Sequence, residues 1–163
     1  DFALQFLSEH RSSDPRFVRS ICHVLEHGQR EQIIASLKFL SRAIGDKQKL
    51  HSQLIESSVR MHSKDCPIVL QELAAQPDLT PTTLELLTSK LEHFPYFPAH
   101  LILKILEARK FASEKTLQDV AVLLEGDSFF IARRAYEHLI RHDLCAELQS
   151  KVDRFYERNR DRL

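Results

Sequence analysis

The segment Phe97-Pro98-Ala99-His100-Leu101-Ile102-Leu103-Lys104-Ile105-Leu106-Glu107-Ala108-Arg109-Lys110-Phe111 decides how the rest of the chain is read. Pro98 suits the first position of a helix, where its missing N–H leaves no partner unmet. From Leu101 to Leu106 only Lys104 is polar, and on a 3.6-residue turn these side chains cover more than half of the circumference. A helix resting on one core needs an apolar stripe of only about 100°. The pattern therefore predicts a helix covered on two sides, an inner rod in a stack of helices, with Leu101, Leu103, Ile105 and Leu106 among the most buried positions.

Outward from this rod, the breakers read as helix boundaries. Pro15, Pro67, Pro81 and Pro98 precede apolar-periodic runs, as helix-opening prolines do, while Pro77 and Pro95 follow such runs and fit helix exits. The three glycines, Gly28, Gly45 and Gly126, each follow a helical pattern and suit a left-handed position just past a helix end. The apolar set Phe17, Val18, Ile21, Cys22 and Leu25 predicts a helix from Pro15 to His27. Ile33, Ile34, Leu37, Leu40 and Ile44 predict a second over 29–44, and together the two make an antiparallel hairpin with almost no loop.

Asp46 reads as the N-cap of a more polar helix through Leu50, Leu54, Ile55, Val59 and Met61, followed by a shorter one from Pro67 to Gln76. Thr80 caps a helix with Leu84, Leu86, Leu87 and Leu91, and the turn His93-Phe94-Pro95-Tyr96 leads into the rod. Ser113 opens a helix with Leu117, Val120, Leu123 and Leu124. Asp127 opens another with Phe129, Ala132, Tyr136, Leu139 and Ile140, and Asp143 the last, through Leu148, Val152 and Phe155. Residues 157–163 are expected to fray, whereas Phe2, Ala3, Phe6 and Leu7 predict an opening helix that could also complete an oligomer. Leu117, Val120 and Leu139 join the expected core. Period-2 alternation and Asn-Gly turns are absent, so the fold class is all-α, with about nine or ten helices.

Composition bounds the rest. A chain of 163 residues suggests one domain, large enough to bury about 70% of its unfolded surface. Hydrophobic residues are 43% and charged residues 28%, the balance of an ordinary folded domain. No apolar run approaches the roughly 18 residues of a membrane span, and no basic secretory start is present. The chain opens on Asp1, not Met, and reads as a piece of a larger protein. Basic and acidic residues balance at 23 each, which removes the easy argument for a long-range pull on nucleic acid or anionic membrane and leaves a local patch open. Cys22, Cys66 and Cys145 form no C-x-x-C pair and read as small buried hydrophobes of a reducing, intracellular compartment: cytoplasm, nucleus or an organelle matrix.

Setting Pro81, Pro98 and Glu114 in register brings Leu84, Leu101 and Leu117 together, a repeat of about 33 to 37 residues per helix pair. The stretch Leu73-Ala74-Ala75-Gln76-Pro77-Asp78-Leu79-Thr80-Pro81, with Leu84, Leu86 and Leu87, resembles the α-α superhelical repeats of the HEAT or armadillo sort and is similar to leucine-rich variant repeats. The resemblance implies antiparallel helical hairpins stacked as a short α-solenoid, and a binding scaffold with no catalytic residues to carry over.

Tested for chemistry, the chain offers little grammar. His23 and His27 share a helical face beside Cys22, and His62 stands four before Cys66, yet neither H-E-x-x-H nor paired C-x-x-C occurs, so no metal site is expected. The glycines are single and cannot cradle a phosphate, and G-x-S-x-G is missing. The sequence thus points to a non-enzymatic protein-interaction module without cofactors. Tyr96 and Phe97, at a proline-rich elbow, could anchor a partner peptide, although both rings are rather expected to tuck under neighbouring helices. The alternative is an RNA-binding helical repeat that uses Arg133, Arg134, Arg141, Arg154 and Arg158 on phosphate, but acids such as Asp153 and Glu157 interleave these arginines, as on a solvated helix face.

Overall fold

A computed structural model of the chain describes residues 14–163, so the expected helix around Phe2 and Phe6 lies outside the described residues. Among the described residues there is no strand. Nine α-helices follow one another among the described residues: α1 (Pro15–His27), α2 (Arg30–Ala43), α3 (Lys47–Arg60), α4 (Cys66–Ala75), α5 (Pro81–Thr88), α6 (Tyr96–Arg109), α7 (Glu114–Val122), α8 (Phe129–Leu139) and α9 (Ala146–Asn159). Short 3-10 turns occupy Leu91–His93, Leu123–Glu125 and Arg160–Arg162. None of the described helices is long and apolar enough to cross a membrane.

The helix starts follow local chemistry. The Asp14 carboxylate accepts from the Arg16 amide, Asp46 from Lys49, Thr80 from Thr83 and Ser113 from Thr116, each satisfying an amide that the first turn leaves without a partner. Pro15 and Pro67 sit in the first two positions of α1 and α4. Pro98 does not open α6, which starts at Tyr96, but it still lies in the first turn, where no proline N–H is missed. The last helix begins at Ala146, three residues after the expected Asp143, and α8 begins at Phe129, preceded by Ser128 with no side-chain cap bond.

Helix ends depart further from expectation. None of the glycines has a positive φ. Gly28 is required for a different reason: a Cβ there would stand 2.5 Å from the Val24 carbonyl oxygen and 3.0 Å from the Gln32 side chain. The left-handed cap belongs to Lys110 at the end of α6, with φ 50°, where the Phe111 amide donates back to the Leu106 carbonyl. Nor does the tail fray at residue 157. Helix α9 continues to Asn159, whose side chain donates to the Phe155 carbonyl, and the Arg162 guanidinium lies 3.9 Å from the centre of the Phe129 ring.

The chain divides into two compact units, Asp1–Thr83 and Leu84–Leu163. In the first, α1 packs on α2 and α3, while α4 packs on α3 and α2. Leu25, Ile33, Phe39, Leu40, Leu54, Ile55, Leu70 and Leu73 fill its interior; burial of each such side chain is worth about 1.5–3 kcal/mol before entropy is counted. Phe17 and Ile34, expected in the apolar stripes, are exposed.

In the second unit α6 packs on α8, α8 on α7 and α9, and α7 on α9, with the Leu123–Glu125 turn among α7, α8 and α9. Ile102, Leu103, Leu106, Val120, Ala121, Ala135 and Leu139 form its core. Helix α6 buries a broad arc made by Pro98, Ala99, Ile102, Leu103, Ile105 and Leu106. One flank nevertheless stays open: Phe97 and Lys104 are exposed and Leu101 is only half-buried, against the expected cover on both sides. These three lie at spacings of three and four, one above the other on a single helix face, so exposing one exposes all.

Candidate functional site

The open flank of α6 continues onto α8. The two helices run parallel, because Tyr96 meets Phe130 near their starts, His100 meets Arg134 a turn later, and Glu107 meets Arg141 near their ends. At the starts, three aromatic rings stand in solvent: Tyr96 is 44% exposed, Phe97 54% and Phe130 69%. Phe94 of the preceding turn is buried, so the elbow is anchored by one ring and presents the next two instead of tucking them away. Tyr96 stacks on His100 at 5.9 Å and meets Phe130 edge-on at 6.4 Å; Phe129 in turn meets Phe130 at 6.0 Å.

Behind the rings a polar cluster fixes the two helices. Glu107 accepts from the Arg134 guanidinium at 2.7 Å, and the same Oε1 lies 3.4 Å from both His138 Nδ1 and an Arg141 nitrogen. Arg134, buried to within a tenth, also donates through Nε to His100 Nδ1 at 3.1 Å. That bond assigns Nδ1 of His100 as acceptor. Burial acts to raise the Glu107 pKa, but the hydrogen bond and charge of Arg134, joined by His138, hold it below the usual carboxylate range. Burial pushes the His138 pKa down, against the Glu107 hydrogen bond, and its Nε2 has no partner. His100 is shifted down as well, by burial and then by the charges of Arg134 and Lys104. Both rings are thus neutral at pH 7 and the positive charge of this face resides on Lys104, Arg133, Arg134 and Arg141.

The sequence-derived candidates separate into two groups. Tyr96, Phe97, Arg133, Arg134 and Arg141 come together on the α6 and α8 face, although Arg133 is engaged by Glu137 at 3.1 Å and Arg134 is a buried tie and not a surface contact. Arg154 and Arg158 lie on α9, where each Nε donates to a helix carbonyl, of Ser150 and Arg154 respectively, and where Asp153 and Glu157 line the same hollow. Phe130, the most exposed ring, and Glu107, the hub of the cluster, escaped the reading of the sequence. A signal for Phe130 exists: Phe129-Phe130 opens α8 as Tyr96-Phe97 opens α6, with Ala132 buried like Ala99 two residues later.

Elsewhere, the first unit holds a cleft of about 650 Å³, with Val18, Cys22 and Ile44 in its wall and Arg19 and Lys49 at its rim. Glu26 lines it too, fixed by Arg60 at 2.7 Å and by the Ser57 hydroxyl at 2.9 Å. Cys22 and Cys66 are buried, and burial followed by the Asp65 charge pushes the Cys66 thiol up to about 11, far from a reactive thiolate. Cys145, expected inside, is exposed at the start of α9. The His23 and His27 rings lie 4.4 Å apart, tilted by 36°, and among the described residues no group of three or more His, Cys, Asp or Glu is placed to hold a metal ion. Comparison with known proteins finds no family model, no curated protein and no solved structure that matches this chain.

Proposed function

We propose that the chain is a non-catalytic module of stacked helical hairpins, of the HEAT or armadillo kind, that holds another protein on the α6 and α8 face. The repeat part of this reading is supported by the polar ties between elements. In the first unit, Glu26 reaches Ser57 and Arg60, 31 and 34 residues away, and Lys47 reaches Asp78, 31 away. In the second, Thr88 reaches Asp119 at 31, and His100 and Glu107 reach Arg134 and Arg141 at 34. Separations recurring around one helix pair are what side-by-side hairpins produce.

The docking part rests on a single observation: three large rings, Tyr96, Phe97 and Phe130, stand exposed at the starts of α6 and α8, with Tyr96 stacked on His100 and edge-on to Phe130. Aromatic side chains dominate binding energy at protein interfaces, and a fixed ring loses little entropy when it is covered. The RNA alternative finds weaker support. A phosphate approaching Arg154 and Arg158 also meets Asp153 and Glu157, and the chain as a whole has no net charge.

Photo-crosslinking from a benzophenone residue at Phe130 in the full chain, within cells, tests the reading. The expected product is a discrete adduct that protease removes and nuclease does not, and that disappears when Tyr96→Ala and Phe97→Ala are added. A nuclease-sensitive adduct, or equal yield from a control benzophenone at the exposed Val122 of α7, contradicts it.

A further inference from the structure

Resting on the docking reading, we infer that the partner presents an acidic segment led by an apolar residue, the apolar side chain seated among Tyr96, Phe97 and Phe130 and the acids running along α6 and α8 towards Lys104 and Arg141. The inference comes from how charge is distributed along the face. The rings occupy the starts of both helices, and basic groups follow in the direction of the chain. On this face Lys104, Arg133, Arg134 and Arg141 outnumber Glu107 and Glu137, so it carries a positive excess although the chain is neutral.

The cations differ in availability. Arg134 is buried against Glu107, and Arg133 is shared with Glu137. Lys104 is exposed and no hydrogen bond or ion pair engages it among the described residues. Arg141 is 60% exposed and only loosely held by Glu107, at 3.4 Å. The acids nearest the rings in the chain, Glu92 and Asp127, line a hollow with Phe94 and Ile131 that neither Lys104 nor the three rings line. From Tyr96 to Lys104 the helix rises about 12 Å, which an extended peptide spans in three or four residues. An apolar residue followed three or four positions later by aspartate or glutamate therefore matches both features at once. A nucleic acid offers bases for the rings but one phosphate per base, and would bring negative charge against Glu107 and Glu137 along its whole path.

Fluorescence anisotropy on the full chain, with four labelled probes, tests this. The first is a short peptide with two leucines followed by two glutamates on the next three to four positions; the second replaces the glutamates by lysines, the third replaces the leucines by serines, and the fourth is oligouridylate. The expected result is binding of the first peptide at least about tenfold tighter than of the others, and a loss of about tenfold on Lys104→Glu or Phe130→Ser. Both substitutions are at exposed positions, and unchanged thermal unfolding confirms that the fold is intact. Lys104→Glu is also expected to improve binding of the lysine peptide, which a structural defect would not do. Equal binding of the glutamate and lysine peptides overturns the acidic assignment. So does failure of all three peptides while the Phe130 crosslink still yields a polypeptide, in which case the docking reading stands with a different partner chemistry. Preferential binding of oligouridylate, lost on Lys104→Glu, overturns both.

Discussion

At the scale of single residues, two backbone positions carry more than their sequence context announces. Lys110 holds a left-handed conformation that costs an L-residue about 1 kcal/mol relative to glycine. Lys110→Gly is accordingly expected to stabilise the second unit by about 0.5–1 kcal/mol, read as a raised midpoint in urea with an unchanged slope. Gly28 is the converse case. Its missing Cβ makes room for the Val24 carbonyl, so Gly28→Ala should cost about 1–3 kcal/mol, while Gly45→Ala, which meets nothing within 4 Å, should stay within about 0.5 kcal/mol. Both glycines follow helical patterns in the sequence, and only coordinates tell them apart, because the distinction depends on which atoms approach and not on the order of residues.

At the scale of elements, the starts of the helices were more legible than their ends, since N-capping is local chemistry. Asp46, Thr80 and Ser113 each cap the helix that their sequence context predicts. Ser113 also donates to Glu85 at 2.8 Å and its Oγ lies 2.9 Å from the Thr116 hydroxyl, so Ser113→Ala removes three bonds and is expected to cost about 1–2 kcal/mol. Ser128 heads α8 without a side-chain cap bond, and Ser128→Ala should change the thermal midpoint by less than a quarter of that seen for Ser113→Ala. Equal effects would show that the cap bond is not what matters at Ser113. Less legible was the outer face of α6. Leu101 belongs to a run of apolar residues, yet its face is shared with Phe97 and Lys104, and the helical period alone cannot say which arc a neighbour covers. The Phe129-Phe130 pair echoes Tyr96-Phe97 in the sequence, but that Phe130 meets Tyr96 and that Glu107 meets Arg134 follows from the register of α6 against α8, a contact between distant segments.

At the scale of the whole molecule, both units bury neutral histidines, and this sets their response to acid. His51 in the first unit, fully buried with neither ring nitrogen bonded, is shifted below its ordinary pKa by burial, as are His138 and His100 in the second. Because the unfolded chain takes up protons near pH 6.5 that the folded rings refuse, stability falls as pH drops through that value towards the lower folded pKa. Glu26 and Glu107, held below the usual carboxylate range in the folded state, add a second loss that begins near pH 4.5 and deepens towards their lowered values. Denaturant melts at pH 7.5 and 5.5 are expected to show lower stability at the acid value, and His51→Leu with His138→Gln should shrink that difference. A difference of opposite sign, or one unaltered by the pair of substitutions, would contradict the account.

The claim on which the functional account turns is that a partner covers the rings at the start of α6 and α8. Amide chemical-shift mapping by NMR, with the full chain titrated by the leucine–glutamate peptide, measures this directly. Perturbations are expected to concentrate at residues 96–104 and 129–134 and at Arg141, saturating together with the anisotropy signal. Perturbations centred on residues 149–158 of α9 or on the α1 and α3 cleft, with the aromatic face unmoved, would contradict that claim.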